Sequence, residues 1–157
     1  MQFAACGRKG CAMEQYIFDS LKTFNQLYKE MDEIYHLYAR KHDISDSTLW
    51  LLYSLCENDT VYTQKQLCDA WHSPPQTINS ALKGLEKRGI IRLEPVPGNH
   101  KNKRIVLTER GKEIADQVVS PLIFAEQSVL KSMTEKERAD LLSLTQKYVE
   151  LLQTAVG

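Results

Sequence analysis

The sequence contains few of the residues that interrupt regular structure, since only 12 of its 157 residues are glycine or proline. This composition disfavours a loop-rich all-β sandwich. No stretch approaches the about 18 uncharged apolar residues that identify a membrane-spanning helix. The first twelve residues lack the continuous apolar segment of a secretory signal. We therefore expect a cytoplasmic protein of about one domain's length.

The sequence also lacks an excess of charge of one sign and any recognisable metal or catalytic pattern. Lys plus Arg and Asp plus Glu number 20 each, so the net charge identifies no partner. The cysteines and histidines do not have the spacing of a zinc site, and no nucleophile is paired with a base at a recognisable spacing. We therefore expect neither an enzyme nor a bound metal or cofactor.

The cysteines allow one specific alternative. Cys56 and Cys68 lie within apolar helical patterns, and buried inert thiols are the simpler interpretation of both. Cys6 and Cys11 flank two basic residues, which favour the thiolate form. A redox switch at Cys6 and Cys11 is therefore an alternative trigger, although a cytoplasmic protein otherwise keeps its thiols reduced.

The charges are unevenly distributed along the chain. Residues 61–111 carry nine basic and four acidic side chains, a net charge of +5, so the remainder carries −5. A basic segment between acidic flanks is typical of a polyanion-binding module inside a non-binding scaffold. A chance scatter of charges over solvated surfaces is the alternative.

The periodicity of apolar residues predicts that the first half of the chain is helical. Apolar positions three and four residues apart predict a long amphipathic helix over 14–40. Further helices are expected to begin at Ser45 or Asp46, at Thr63 and at Ser73. The last two starts have the sequence of a capping box, and Ser73 is followed by proline at the first helical position.

The second half of the chain begins with a predicted β-hairpin. Two β-branched runs, 90–94 and 103–107, flank a segment rich in turn-forming residues. Thr108 is expected to cap a helix that reaches about Ser132, and Pro121 within it predicts a kink or a break. Thr134 begins a third capping box and a last helix. The predicted fold is thus mainly α with a small β-hairpin.

Two short helices followed by a hairpin predict a winged helix-turn-helix. The second helix would turn its apolar side chains inward and present a polar face with one cation and no acid before Glu86. Such side chains bond base edges and phosphates in a major groove, and the basic, amide-rich hairpin tip suits phosphates or a narrow minor groove. A solvated helix face and a charged loop that blocks aggregation are the alternatives. The expected DNA contacts are Thr63, Ser73, Pro74, Gln76, Thr77, Asn79, Ser80, Lys83, Arg88, Asn99, His100, Lys101, Asn102, Lys103 and Arg104.

The order of elements and the segment 71–111 resemble the MarR family of bacterial transcriptional regulators, and the resemblance covers essentially residues 14–157. The resemblance is carried by Q-T-I-N-S-A-L-K-G-L-E-K-R-G-I-I and by L-T-E-R-G-K, within which L-E-K-x-G-x-I and L-T-x-x-G are the more specific parts. It implies a homodimer in which the first and the last two helices interleave, with recognition helices in successive major grooves of a near-palindromic site. In many members a small, often phenolic, ligand relieves repression.

The resemblance also implies a domain organisation. We expect a flexible tail over 1–13, a helical dimerisation region over 14–44 and 109–157, and a winged helix-turn-helix DNA-binding region over 45–108. The partners implied are double-stranded DNA, a second copy of the chain and a small effector.

The wing departs from the family pattern. Members typically carry an Asp-x-Arg pair there, and the corresponding positions are Asn99 and Lys101. Because lysine lacks the planar fork of arginine, minor-groove reading should be weaker. His100, Lys103 and Arg104 are the candidates to compensate.

An effector pocket is a weaker expectation. Amphipathic aromatic side chains with a few polar tips are what such a pocket needs, and the candidates are Tyr35, His36, Tyr38, Trp50 and Tyr53. An ordinary helix-helix core would contain the same residues. A winged domain that docks a protein rather than DNA is the remaining alternative for the whole chain.

Overall fold

The computed structural model describes residues 8–57, 63–71, 74–96 and 98–157, excepting the side chains of 8–11 and 99–102. Within these ranges seven α-helices, one π-helical turn and a two-stranded hairpin follow one another, so the predicted fold class is confirmed. The elements are α1 (Arg8–Lys41), α2 (Asp46–Glu57), α3 (Gln64–Trp71), α4 (Pro75–Lys87), β1 (Ile91–Val96), β2 (Asn99–Leu107), α5 (Glu109–Ile114), the π-helical turn (Ala115–Val119), α6 (Ser120–Ser132) and α7 (Glu135–Val156).

The chain divides into two compact units, one ending at Trp50 and the other beginning at Leu51. In the first unit α1 begins at Arg8, within the segment expected to form a tail. Asp43 turns the chain with a φ of 54°. The Thr48 amide then donates to Ser45 Oγ at 3.2 Å, so Ser45 caps α2.

The second unit contains an apolar cluster that joins α2, α3, α4 and the hairpin. Its buried members are Leu51, Leu52, Leu67, Ile78, Leu82, Leu85, Ile90, Ile91, Ile105 and Val119. Full burial of a side chain of this size contributes about 1.5–3 kcal/mol, so the cluster fixes α4 against α3 and the hairpin. The inward face predicted for α4 is confirmed, because Ile78, Leu82 and Leu85 are buried.

The hairpin presents two different faces. β1 and β2 pair antiparallel with Glu94 opposite Arg104. Because alternate residues of a strand point to opposite faces, Ile105 is buried in the core while Arg104 lies on the outer face. Thr63, just before α3, forms an isolated bridge with Arg104 on the other edge of β2.

Helix α4 begins later than the sequence pattern indicated. Its N-cap is Pro74, with a ψ of 140° and no side-chain cap hydrogen bond, and its first helical residue is Pro75. A proline excludes the helical conformation from the residue before it, so Pro75 keeps Pro74 outside the helix. The helix start expected at Ser73 is therefore one residue too early, and the capping hydrogen bonds expected of Ser73 lie outside the described residues.

The other two capping boxes are confirmed. The Thr63 amide donates to Gln66 Oε1 at 2.8 Å, and the Gln66 amide donates to Thr63 Oγ1 at 3.3 Å. Thr134 and Glu137 form the same reciprocal pair at the start of α7. Hydrogen bonds from the amide and hydroxyl of Thr134 lower the pKa of Glu137.

Pro121 does not break the helix that follows the hairpin. The chain passes from α5 through the π-helical turn directly into α6, where Pro121 occupies the first turn. In the turn the Ser120 amide donates to the Ala115 carbonyl, five residues back. A proline ring inside an α-helix collides with the carbonyl four residues earlier, and the wider π turn makes room for that ring.

Helices α1, α6 and α7 expose large apolar side chains. On α1 these include Tyr16, Ile17, Phe18, Leu21, Phe24, Leu27, Tyr28, Met31, Ile34 and Leu37. On α6 and α7 they are Phe124, Val129, Leu130, Leu141, Leu142, Leu144, Tyr148, Val149, Leu151, Leu152 and Val156. Apolar surfaces of this extent are unusual on a monomer. None of the described helices combines the length and apolarity needed to cross a membrane.

Candidate nucleic-acid interface

The polar face of α4 lies opposite its buried face, as the 3.6-residue period requires. Gln76, Thr77, Ser80 and Lys83 are exposed. Asn79 differs from them because it is half-buried beside α3. The exposed side chains are hydrogen-bonding groups and one cation, so this face can bond base edges and phosphates.

The end of α4 is anchored by residues that follow the hairpin. The Thr108 hydroxyl donates to the Gly89 carbonyl at 2.6 Å, and the Thr108 amide donates to the Ile90 carbonyl at 3.0 Å. The same hydroxyl accepts from the Gly111 amide at 3.1 Å and so caps α5. A Cβ on Gly111 would lie 2.0 Å from the Ile90 carbonyl oxygen. The L-T-x-x-G pattern therefore joins the end of α4 to α5.

A cleft of about 630 Å³ runs between α3, α4 and the hairpin. Its lining residues are Thr63, Gln64, Lys65, Cys68, Asp69, Pro75, Asn79, Lys83, Glu86, Leu93 and Lys103. Three lysines face two carboxylates in this set, so the lining has a net positive charge. Lys103 of the hairpin and Lys83 of α4 thus belong to one concave surface.

The outer face of the wing carries a charge cluster that was not predicted from the sequence. The Glu94 carboxylate accepts from Arg92 Nε at 2.5 Å through Oε1. Through Oε2 it accepts from Arg104 Nε at 2.8 Å and lies 2.5 Å from Arg104 Nη2. The hydrogen bond from Arg92, and to a smaller extent the one from Arg104, lowers the pKa of Glu94. Residues 94 and 104 lie opposite each other because of the hairpin register, which no local pattern in the sequence reports.

The remaining expected DNA contacts fall into two groups. Pro74 and Arg88 are exposed at the two ends of α4, and the Arg88 carbonyl accepts from Arg110 Nη1 at 3.0 Å. Thr63 is half-buried in its capping box. The side chains of Asn99, His100, Lys101 and Asn102 lie outside the described part of the structure.

Four of the five expected effector residues belong to the first unit. The rings of Tyr35 and Trp50 lie 4.8 Å apart at an angle of 57°. Tyr38 lies 4.7 Å from the ring of His42, and burial raises the pKa of Tyr38. The structure thus brings Tyr35 and Trp50 into direct contact.

His36 and Tyr53, the remaining expected effector residues, make hydrogen bonds to carboxylates. In the first unit His36 Nδ1 lies 2.9 Å from Asp46 Oδ2, at the start of α2. In the second unit the Tyr53 hydroxyl donates to Glu126 Oε2 at 2.6 Å, which links α2 to α6. Both contacts fix the direction of side chains that were expected to line a pocket.

The cysteines offer little support for a reactive thiol. Cys56 and Cys68 are free and half-buried. Burial is the main cause that raises the pKa of Cys56, and the nearby carboxylate of Asp116 raises it further. A protonated thiol is a poor nucleophile. Cys6 and the side chain of Cys11 lie outside the described residues. In the portion that the structure describes, no group of three or more His, Cys, Asp or Glu side chains could hold a metal ion.

Comparison with known protein sequences identifies relatives of this arrangement. A profile of the MarR family matches residues 42–101, which include α3, α4 and the start of the wing. The chain is 29% identical over 112 residues to the HTH-type transcriptional regulator PecS of Dickeya dadantii (strain 3937). That match covers 70% of this chain and 63% of PecS, so the chain spans less than two thirds of the length of PecS.

Solved structures share the fold over most of the chain. The crystal structure of the S. aureus MepR–DNA complex matches with a TM-score of 0.68 and 20% identity, covering 83% of this chain and 96% of MepR. A MarR family regulator from Listeria monocytogenes, complexed with 26mer DNA, matches with a TM-score of 0.67 and 25% identity. That match covers 84% of this chain and 87% of the Listeria chain.

Proposed function

We propose that this chain, which is similar to the MarR family of winged helix-turn-helix transcriptional regulators, regulates transcription by binding double-stranded DNA as a homodimer. The observation that carries this proposal is the exposed face of α4, which presents Gln76, Thr77, Ser80 and Lys83, while α4 itself has no acidic residue before Glu86. The MepR and Listeria structures hold DNA on the same fold, which supports the proposal. Because its ligand is chromosomal DNA, the protein acts in the cytoplasm.

The two surfaces of the interface have different roles in this proposal. Gln76, Thr77, Asn79 and Ser80 read base edges in the major groove, where amides and hydroxyls form specific hydrogen bonds. Lys83, Lys103 and the basic wing tip neutralise phosphates and release counterions. The logarithm of the affinity then falls by about 0.9 per logarithm of salt for each phosphate contact.

The exposed apolar side chains support a homodimer. Those of α1 and of α7 form long stripes, and packing them against a second copy would remove them from water. A two-fold dimer presents two recognition helices about 34–36 Å apart, one turn of DNA. The operator is therefore near-palindromic.

We further propose that a small effector releases the protein from DNA and that the bound form represses transcription. The contacting rings of Tyr35 and Trp50 support an aromatic ligand near them, in the unit that also contains His36 and Tyr38. Quenching of Trp50 fluorescence by phenolic compounds, absent in Trp50→Phe, tests this site. A compound that quenches Trp50 without changing DNA affinity would contradict the regulatory part.

The central experiment is binding to DNA that flanks the protein's own gene, followed by selection from random-sequence duplexes, at two salt concentrations. We expect tight binding that resists competitor DNA and weakens steeply with salt. Neutralising Lys83, Lys101 and Arg104 together should abolish it. Equal binding to random duplex, with little salt dependence and no effect of the triple change, would instead indicate a protein-docking module.

Two controls make the result specific. A second triple variant that neutralises Lys131, Lys136 and Lys147, all exposed on α6 and α7, removes the same charge away from the interface. It should retain binding. Loss of binding on mild peroxide, prevented by serine at one cysteine, would identify a thiol trigger in place of a ligand.

A further inference from the structure

The outer face of the wing holds two arginines in a fixed geometry. An arginine has five N–H donors in a rigid planar fork. Glu94 occupies one edge of the Arg104 fork, through Nε and Nη2, and it holds Arg92 through Nε. The hydrogen bonds among the described residues therefore leave three donors of Arg104, one on Nη2 and two on Nη1, and the end of the guanidinium plane between these nitrogens can still bond two acceptor oxygens in parallel.

The free edges of both arginines are accessible. The side chains of Arg92 and Arg104 are 57% and 42% exposed, whereas that of Glu94 is 26% exposed. The carboxylate thus sits between the guanidinium groups. A planar fork that is held on one edge can form two parallel hydrogen bonds to a phosphate with the other.

The position of these arginines complements that of Lys103. Successive residues of β2 point to opposite faces, so Lys103 lines the cleft beside α4 and Arg104 lies on the other side of the hairpin. A hairpin that stands in the minor groove, about 6 Å wide, has one phosphate strand on each side. Lys103 then faces one strand and the arginines face the other.

We propose that Glu94 is a positioning residue that aims Arg104, together with Arg92, at DNA phosphates along the outer face of the wing. This inference rests on the proposed function, because it names residues that would contact the same DNA. Glu94 itself touches no phosphate. Its role is to keep the fork of Arg104 in the orientation that phosphate binding requires.

Simple electrostatics and a positioning role predict opposite changes in DNA affinity when Glu94 is neutralised, so one substitution distinguishes them. A carboxylate near DNA repels phosphates, so Glu94→Gln should tighten binding if Glu94 were only a surface charge. An exposed ion pair also contributes little to folding, so the substitution should leave stability nearly unchanged. A positioning role predicts weaker binding in spite of the added positive charge.

The experiment measures affinity by fluorescence anisotropy on the operator selected with the wild-type protein, across a series of salt concentrations. We expect Glu94→Gln to weaken binding about tenfold, since a charged hydrogen-bonded contact is lost, and to lower the salt slope by about 0.9. Glu113→Gln is the control, because it makes the same change in charge at an exposed side chain of α5. It should bind as tightly as wild type or slightly more tightly.

Two further variants separate positioning from folding. Arg104→Lys keeps the charge but loses the planar fork, and it should weaken binding as much as Glu94→Gln. In an Arg104→Ala background, Glu94→Gln should cause no further loss. The proposal is overturned if Glu94→Gln binds at least as tightly as wild type, or if its loss persists undiminished without Arg104. Failure of the wild-type protein to bind any duplex would instead refute the proposed function.

Discussion

Replacing Gly111 by alanine tests how the recognition helix is anchored. The added Cβ would lie 2.0 Å from the Ile90 carbonyl oxygen, whereas non-bonded atoms pack at about 3.5–4.0 Å. Because the obstacle is backbone, the two segments must separate, which strains the hydrogen bond from the Thr108 amide to Ile90. Overpacking and one weakened hydrogen bond together cost about 3 kcal/mol, which lowers Tm by about 6–12 °C in a domain of this size.

A second glycine of the chain provides a control that should raise stability rather than lower it. A Cβ added to Gly84, within α4, would meet nothing within 4 Å, so Gly84→Ala should stabilise the helix by about 0.5–1 kcal/mol. Thermal unfolding followed by circular dichroism, at one fixed protein concentration, compares the two variants. A Tm for Gly111→Ala equal to or above that of wild type would refute the anchoring of α4 through Thr108 and Gly111.

The remaining predictions concern base recognition by α4, the acid stability of the protein and the residue that follows α4. Gln76→Ala should reduce discrimination against single-base operator variants by about 1–3 kcal/mol. Lys83→Ala should instead weaken binding to all duplexes alike and lower the salt slope by about 0.9. If anisotropy shows that both variants lose affinity equally for every duplex, Gln76 does not contact a base. Because hydrogen bonds from Thr134 lower the pKa of Glu137, their stabilisation is present above the unfolded pKa and is lost as pH falls through the folded pKa. Urea titrations between about pH 6 and 3 should therefore show less acid destabilisation for Glu137→Gln than for wild type, and equal sensitivity would contradict this. Gly89 has a φ of 67°, so Gly89→Ala should cost about 1–2 kcal/mol, and an unchanged urea midpoint would exclude strain there.

Much of the fold could be predicted from the sequence because its signals are local. The caps at Thr63, Thr108 and Thr134 each depend on four consecutive residues, and all three form the expected hydrogen bonds. The recognition helix followed from the spacing of its apolar residues, which reports directly on the buried face. Its start was misplaced because two prolines compete for the first helical position, and only the steric effect of Pro75 on Pro74 decides between them.

The arrangement of the wing was less predictable. Lys103 and Arg104 look like one basic cluster in the sequence, yet they lie on opposite faces of the hairpin. Their separation depends on the strand register, which an irregularity between Pro95 and Val96 shifts near the tip. The partnership of Glu94 with Arg104 is a contact between residues ten positions apart, and no local pattern reports it.

The π-helical turn Ala115–Val119 has a consequence for how this chain tolerates changes in length. A π turn accommodates one additional residue without interrupting the helix, and each residue advances the side-chain direction by about 100°. Deleting a single residue from this turn would convert it to an ordinary α-helical turn and keep the direction of Leu122, which is buried, whereas the same deletion within α6 would rotate every side chain after it. The π-helical turn is therefore the place between the hairpin and the last two helices where a change of one residue in length is absorbed.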